Sequence, residues 1–235
     1  MSQTTIKNFS PEASDILNFF SRQAGSENIA GIVTLENMSE ICQEIKPKRI
    51  LEMGGGIGTI SYALLKFSDA FVDIYEHNEF CRGKLKENLA EFNGRYQVID
   101  DYRILPPERV YDLMIVDGGS GKGKGGGYHE AVWFFIMYLK SVKIVYVEGN
   151  RRLQRFFARK ALKYNYLYKL TDYDNIIWQG EKLHGGLKIE CSPSSSRILK
   201  MANFIFWELK EWTAVKNWFA YRLGRIRQLL NKKNI

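Results

Sequence analysis

The sequence of 235 residues predicts an α/β fold: a mostly parallel sheet with helices on both faces, an antiparallel terminal hairpin and a C-terminal amphipathic helix. Three observations carry this. Short apolar runs alternate with amphipathic segments of helix length, the pattern of parallel strands joined by crossover helices. The first apolar run breaks into a glycine-rich turn, Glu52-x-Gly54-x-Gly56-x-Gly58, that leads straight into a helix. Acids stand at the ends of successive runs, at Glu52, Glu76, Asp101 and Asp117. In an open α/β sheet the carboxyl ends of the strands share one edge, where ligands bind.

The elements follow in chain order. Pro11 to Gln23 reads as a helix with Ile16, Leu17, Phe19 and Phe20 on its apolar face. Leu35 to Ile45 reads as a second helix, stopped by Lys46-Pro47 because the residue before proline is pushed out of the helical region. Arg49 to Met53 is the first strand, Thr59 to Phe67 the helix after the glycines, and Phe71 to Tyr75 the second strand. A helix over Phe80 to Phe92 precedes a third strand, Tyr96 to Ile99, which ends in Asp100-Asp101. Tyr111 to Asp117 is the fourth strand and runs into Gly118-Gly119. Tyr128 to Leu139 is a helix, Lys143 to Glu148 the fifth strand, and Arg151 to Leu162 a basic helix. Asn175 to Gln179 and Leu187 to Cys191 are expected to form the closing hairpin, joined through His184-Gly185-Gly186. Residues 1–191 thus make one domain, with N-terminal helices in 11–45 and a core over 30–191; after the hinge Ser192 to Ser196, a basic helical tail completes the segment 192–235.

The glycine turn is not a dinucleotide fingerprint, since Thr59 or Ser61 stands where G-x-G-x-x-G needs its last glycine. With its preceding acid it resembles motif I of the class I S-adenosylmethionine (SAM)-dependent methyltransferases, whose sheet is Rossmann-like. Asp112-Leu113-x-Ile115-Val116-Asp117-Gly118 resembles motif IV of the same family. The resemblance covers residues 30–191 and implies a SAM site built from Glu52, Gly54, Gly56, Gly58, Glu76, Asp101 and Asp117. Glu76, 18 residues beyond Gly58, stands where a Rossmann-type site places a carboxylate for the ribose hydroxyls. Asp101, with Tyr102, is placed by the resemblance at the adenine amino group.

Transfer to a hydroxyl needs a group to take its proton. Asp117, His129 and His184 are the candidates: an acid at a strand end, a histidine after the glycine loop, and a histidine at the hairpin tip. In the catechol-type O-methyltransferases the acid matching Asp117 binds a divalent metal together with an Asp-Asn pair. Here the corresponding segment is Glu148-Gly149-Asn150, so Asp117, Glu148 and Asn150 are candidate magnesium ligands with an imperfect match. The loop Gly118 to Gly127 nearly spells a P-loop, but Gly125 replaces the metal-binding hydroxyl. It reads as a mobile lid whose Lys122 and Lys124 can meet an anion. Arg151, Arg152, Arg155 and Arg159 add to an expectation of an acidic acceptor.

The formal charge is +8, and residues 197–235 hold nine Lys/Arg against two Glu, so nearly all of the excess sits in the tail. Its apolar residues, Ile198, Met201, Ile205, Leu209, Trp212, Val215, Phe219, Leu223, Ile226 and Leu230, recur at steps of three or four. Such a stripe among cations describes a helix lying on an anionic membrane surface; packing on the domain or on a second copy is another use, and nucleic acid ranks last. Three scattered cysteines without metal-ligand spacing and a polar N-terminus point to reduced thiols and a cytoplasmic setting. The expectation is O-methylation of an acidic or lipid-linked, glycan-type acceptor at the cytoplasmic membrane face. An aminopropyltransferase-like enzyme and a non-catalytic SAM-binding scaffold are the alternatives.

Overall fold

The computed structural model describes residues 9–118, 128–174, 176–178 and 181–210. Its strands are β1 (Arg49–Met53), β2 (Phe71–Tyr75), β3 (Tyr96–Ile99), β4 (Val110–Val116), β5 (Ser141–Glu148), β6 (Tyr166–Asp172), β7 (Ile176–Trp178), β8 (Glu181–Leu183) and β9 (Gly186–Pro193). Its helices are α1 (Pro11–Ser21), α2 (Ile32–Ile45), α3 (Thr59–Phe67), α4 (Glu79–Asn88), α5 (Tyr128–Tyr138), α6 (Arg152–Leu162) and α7, over 197–210. The main sheet has the order β3-β2-β1-β4-β5-β9-β6. Every pairing among β1 to β5 is parallel, and β9 runs antiparallel to both β5 and β6. The chain therefore has the mostly parallel sheet, covered on both faces, that its sequence predicts.

Alternation along each strand builds two cores. Ile50, Val72, Ile74, Leu113, Ile115, Ile144 and Tyr146 face helices α1 to α4. Leu51, Met53, Tyr75, Met114, Val116, Val145 and Val147 face α5 and α6. Strands buried on both faces need apolar residues at every position, so these runs are continuously hydrophobic. Two carboxylates are exceptions, Glu52 on β1 and Asp73 on β2; Asp73, fully buried, accepts hydrogen bonds from Arg49 Nε (2.9 Å), Tyr111 Oη (2.7 Å) and Gln97 Nε2 (2.5 Å). A buried charge is tolerated only when paired and hydrogen-bonded, and this one laces β2 to its neighbours.

The closing hairpin differs from the sequence expectation. Its first strand is β6, Tyr166–Asp172, while Ile176–Trp178 pairs with Glu181–Leu183 in a separate two-stranded ribbon. β6 is one of the sheet's two edge strands: Tyr166 and Tyr168 are buried, whereas Lys169 and Asp172 are exposed. Its apolar signal is correspondingly diluted.

Helix α7 covers that edge. Asn203 Oδ1 accepts from Tyr168 N (3.0 Å), Asn203 Nδ2 donates to Tyr168 O (3.0 Å), and Trp207 Nε1 donates to the same carbonyl (2.9 Å). An exposed strand edge is a template for unwanted pairing, and one asparagine here satisfies both backbone groups of Tyr168. Arg159, buried on α6, closes the dock with an ion pair to Glu208 at 2.6 Å. The remainder of the tail, from residue 211, lies outside the described residues.

Candidate functional site

Three strand ends converge on the glycine turn. Gly54 N and Gly55 N donate to Tyr75 O at the end of β2 (2.9 and 3.1 Å). Asp117 N and Gly118 N both donate to Met53 O at the end of β1 (2.8 Å). The turn takes positive φ at Gly54 (+91°), Gly56 (+52°) and Gly58 (+98°), which L side chains adopt only with strain. A Cβ at Gly54 would meet the backbone of Gly118 at 2.4 Å, whereas one at Gly56 would meet nothing within 4 Å. Gly54 is thus a packing requirement, and Gly56 opens onto free space at the sheet edge.

Glu76 faces this turn. Its carboxylate accepts from Gly56 N (2.8 Å) and Asn78 N (2.7 Å), with His77 Nδ1 3.7 Å away. Glu52 lies beneath, fully buried; Ser61 Oγ donates to its Oε2 at 2.6 Å, and its Oε1 has no hydrogen-bond partner. Burial pushes the Glu52 carboxyl up to about 8, against the Ser61 hydrogen bond and helped by the charge of Glu76. The folded pKa lies above the unfolded one, so the native state holds more protons between the two values, and this group's stabilisation is lost as pH rises toward 8. Accordingly the melting temperature of Glu52→Gln should fall less than that of the wild type between about pH 5 and pH 8, as read by thermal unfolding at several pH values.

Asp117 ends β4, next to Glu148 at the end of β5. Arg151 Nη2 lies between them, 2.6 Å from Asp117 Oδ1 and 3.1 Å from Glu148 Oε2. Burial raises the Asp117 carboxyl well above the usual range; Glu148 raises it further, Arg151 opposes, and Glu52 adds a smaller push upward. A guanidinium thus fills the position between the two acids that magnesium would need. Asn150 is exposed and follows Gly149, whose carbonyl accepts from Arg155 Nη2 (2.7 Å). Among the described residues no group of three or more His, Cys, Asp and Glu could hold a metal ion. The residues present do not fit the magnesium site that the resemblance suggested.

Of the other expected residues, Tyr102 bonds the carbonyl that holds the turn, that of Tyr75. Asp101 forms an ion pair with Arg103 (2.7 Å), whose hydrogen bonds hold its carboxyl below the usual range. Tyr102 donates to Tyr75 O (3.0 Å) and its ring packs 5.4 Å from that of Tyr75. His129 sits in the first turn of α5, its ring 4.8 Å from that of Phe157. His184, between β8 and β9, has Nδ1 3.8 Å from Asp174 Oδ1. Lys122 and Lys124 lie outside the described residues.

The arginines of α6 have internal duties. Arg155, buried, donates to Asp174 Oδ2 (2.7 Å), and Arg159 binds Glu208. Together with Arg151 they form one stripe at steps of four. The sequence showed that spacing, but their acids come from distant segments, so the pairing was not legible there.

No protein-family model matches the chain, and no curated relative matches it. Solved structures do. The O-methyltransferase TomG from Streptomyces achromogenes, involved in tomaymycin synthesis and in complex with SAM, superposes with a TM-score of 0.55 at 13% identity over 81% of this chain and 92% of that one. The SAH-bound methyltransferase PaMTH1 from Podospora anserina gives 0.53 at 14% identity, over 80% and 91%. The precorrin-6y C5,15-methyltransferase from Geobacter metallireducens gives 0.53 at 14% identity, over 73% and 94%. This chain has the fold of the class I SAM-dependent methyltransferases.

Proposed function

We propose that this chain is a SAM-dependent methyltransferase acting on an oxygen acceptor. The observation that carries the reading is the sheet edge at which a glycine turn with open space at Gly56, the carboxylate of Glu76 and the strand-end acid Asp117 meet. The residues fit the cofactor: Gly56 leaves room for it, Glu76 offers a carboxylate for ribose hydroxyls, and the unpartnered Oε1 of buried Glu52 awaits a donor. Bound SAM supplies an electrophilic methyl group and leaves as the neutral thioether. Asp117 takes the proton that the acceptor oxygen gives up on bonding to that methyl. Its upward shift makes the ionised carboxylate a stronger proton acceptor than a free one. Arg151 holds the carboxylate in place. Asp117 is preferred to His129 and His184 because its backbone is tied to the cofactor turn itself.

The acceptor we propose is anionic or lipid-linked, of glycan type, met at the cytoplasmic face of the membrane. The charge of the tail supports the location, with nine Lys/Arg against two Glu over residues 197–235. With Arg151, Arg155 and Arg159 engaged internally, recognition of an anion falls to Arg152, exposed on α6, and to Lys122 and Lys124. An aminopropyl transfer would need acids open to a cationic acceptor, and Arg151 already occupies the place between Asp117 and Glu148.

Calorimetric titration with S-adenosylhomocysteine tests the core of this reading. A micromolar dissociation constant, unaltered by magnesium, is expected. Absence of binding would end it, and binding of the decarboxylated cofactor in its place would favour aminopropyl transfer.

A further inference from the structure

Amphipathic helices that cover a domain turn their apolar stripe inward. Helix α7 turns Phe204 and Trp207 inward but leaves the larger part of its apolar surface outside. Its contacts with the domain run through Lys200, Asn203, Phe204, Trp207 and Glu208: Lys200 Nζ donates to Tyr164 O (2.5 Å), Phe204 and Trp207 pack against the core, and Asn203, Trp207 and Glu208 bind Tyr168 and Arg159 as described. At about 100° per residue these positions share one side of the helix. The opposite side carries Ile198, Met201, Ile205, Phe206 and Leu209, which are 82%, 47%, 48%, 50% and 60% exposed. Leu199 and Ala202, both exposed, complete an arc that contains no polar residue. Directional hydrogen bonds and a part-buried ion pair fix the rotation of the helix, so this face cannot turn into the domain without breaking them.

We propose that the outer face of α7 seats the protein on an anionic lipid surface, with the apolar side chains entering the boundary between headgroups and acyl chains. Charge decides between lipid and a second copy. Residues 197–235 carry nine Lys/Arg and two Glu, and the apolar steps of three and four continue in sequence through Trp212, Val215 and Phe219 to Leu230. Two such segments face to face would repel, whereas anionic headgroups attract each cation near the surface. Cations recur throughout residues 197–235, the pattern of a helix that lies on a bilayer rather than through it; among the described residues no helix is long and apolar enough to cross a membrane. The placement also serves the site. β6 runs in the direction of β5, because both are antiparallel to β9. The contacts of α7 step from Tyr164, just before β6, to Tyr168 within it, toward the edge that holds Asp117 and Glu148. The inference deepens the proposed function by naming the surface on which a lipid-linked acceptor is met, and it rests on that reading only for this link.

Flotation of the full chain with vesicles tests it without any activity. Vesicles of phosphatidylcholine with about one third phosphatidylglycerol are compared with pure phosphatidylcholine at low and high salt. The wild type should float with the anionic vesicles, and high salt should weaken this. The double variant Ile205→Glu/Leu209→Glu should lose at least tenfold in partitioning while its circular dichroism and affinity for S-adenosylhomocysteine stay at wild-type values. Equal partitioning of the variant, or none by the wild type, would overturn the proposal. So would a wild-type dimer that the double variant dissociates, which would mark a self-interface. Failure to bind S-adenosylhomocysteine with flotation intact would strike the methyltransferase reading and leave this one standing.

Discussion

Gly54→Ala is expected to destabilise the protein by about 3 kcal/mol or more, the sum of overpacking and left-handed backbone strain. The added Cβ would stand 2.4 Å from Gly118 Cα and N and 2.9 Å from the Asp117 carbonyl carbon. All three are backbone atoms, so no rotamer change relieves the clash; the β1 and β4 ends must separate. Their separation would break the bonds from Asp117 N and Gly118 N to Met53 O, which set the strand-end acid beside the turn. Such a loss is a large share of a domain's typical total of about 5–15 kcal/mol, and urea unfolding would show it as a lower midpoint. Gly56→Ala is the informative control. Its φ of +52° carries strain, but its Cβ has open space, so about 1 kcal/mol is expected. Affinity for S-adenosylhomocysteine should nevertheless fall at least tenfold, because the methyl occupies the space assigned to the cofactor. Wild-type affinity in Gly56→Ala would show that this space is not the cofactor bed.

The difference between these two glycines also measures what the sequence could say. The turn, the strands β1 to β3 and helix α3 follow from apolar periodicity and glycine spacing, which are local signals, and the structure has them at the expected residues. β6 did not follow, because an edge strand exposes Lys169 and Asp172 and its pattern is finished by another element, α7. The arginines were legible as a basic helix but not as a set of internal locks. Their partners, from Asp117 to Glu208, are brought near only by the fold. The apolar stripe of the tail was legible as a stripe; its orientation was not, because that depends on Asn203 and Trp207 finding Tyr168. At the site, the acids were visible in sequence, while the cation between Asp117 and Glu148 was not. It replaces a metal reading with an arginine one.

That arginine frames the second large effect. Asp117→Asn should lower methyl transfer by about 10²–10⁴-fold, the usual worth of a positioned general base, with affinity for S-adenosylhomocysteine within about threefold of the wild type. Retained turnover would send the proton to His129 or His184 instead. A pH profile separates the base from a merely structural acid. Only ionised Asp117 accepts a proton, so activity should rise with pH through its raised pKa. Glu148 contributes to that elevation and Arg151 opposes it. Glu148→Gln removes a like charge and leaves Arg151 to Asp117 alone; both changes favour the ionised form. The acidic limb of the profile should therefore move to lower pH in Glu148→Gln, at unchanged cofactor affinity. A limb that stays in place would mean that the titrating group is not Asp117. A shift to higher pH would mean that Glu148 holds Arg151 in position rather than competing for it, and that the guanidinium leaves Asp117 once that hold is gone.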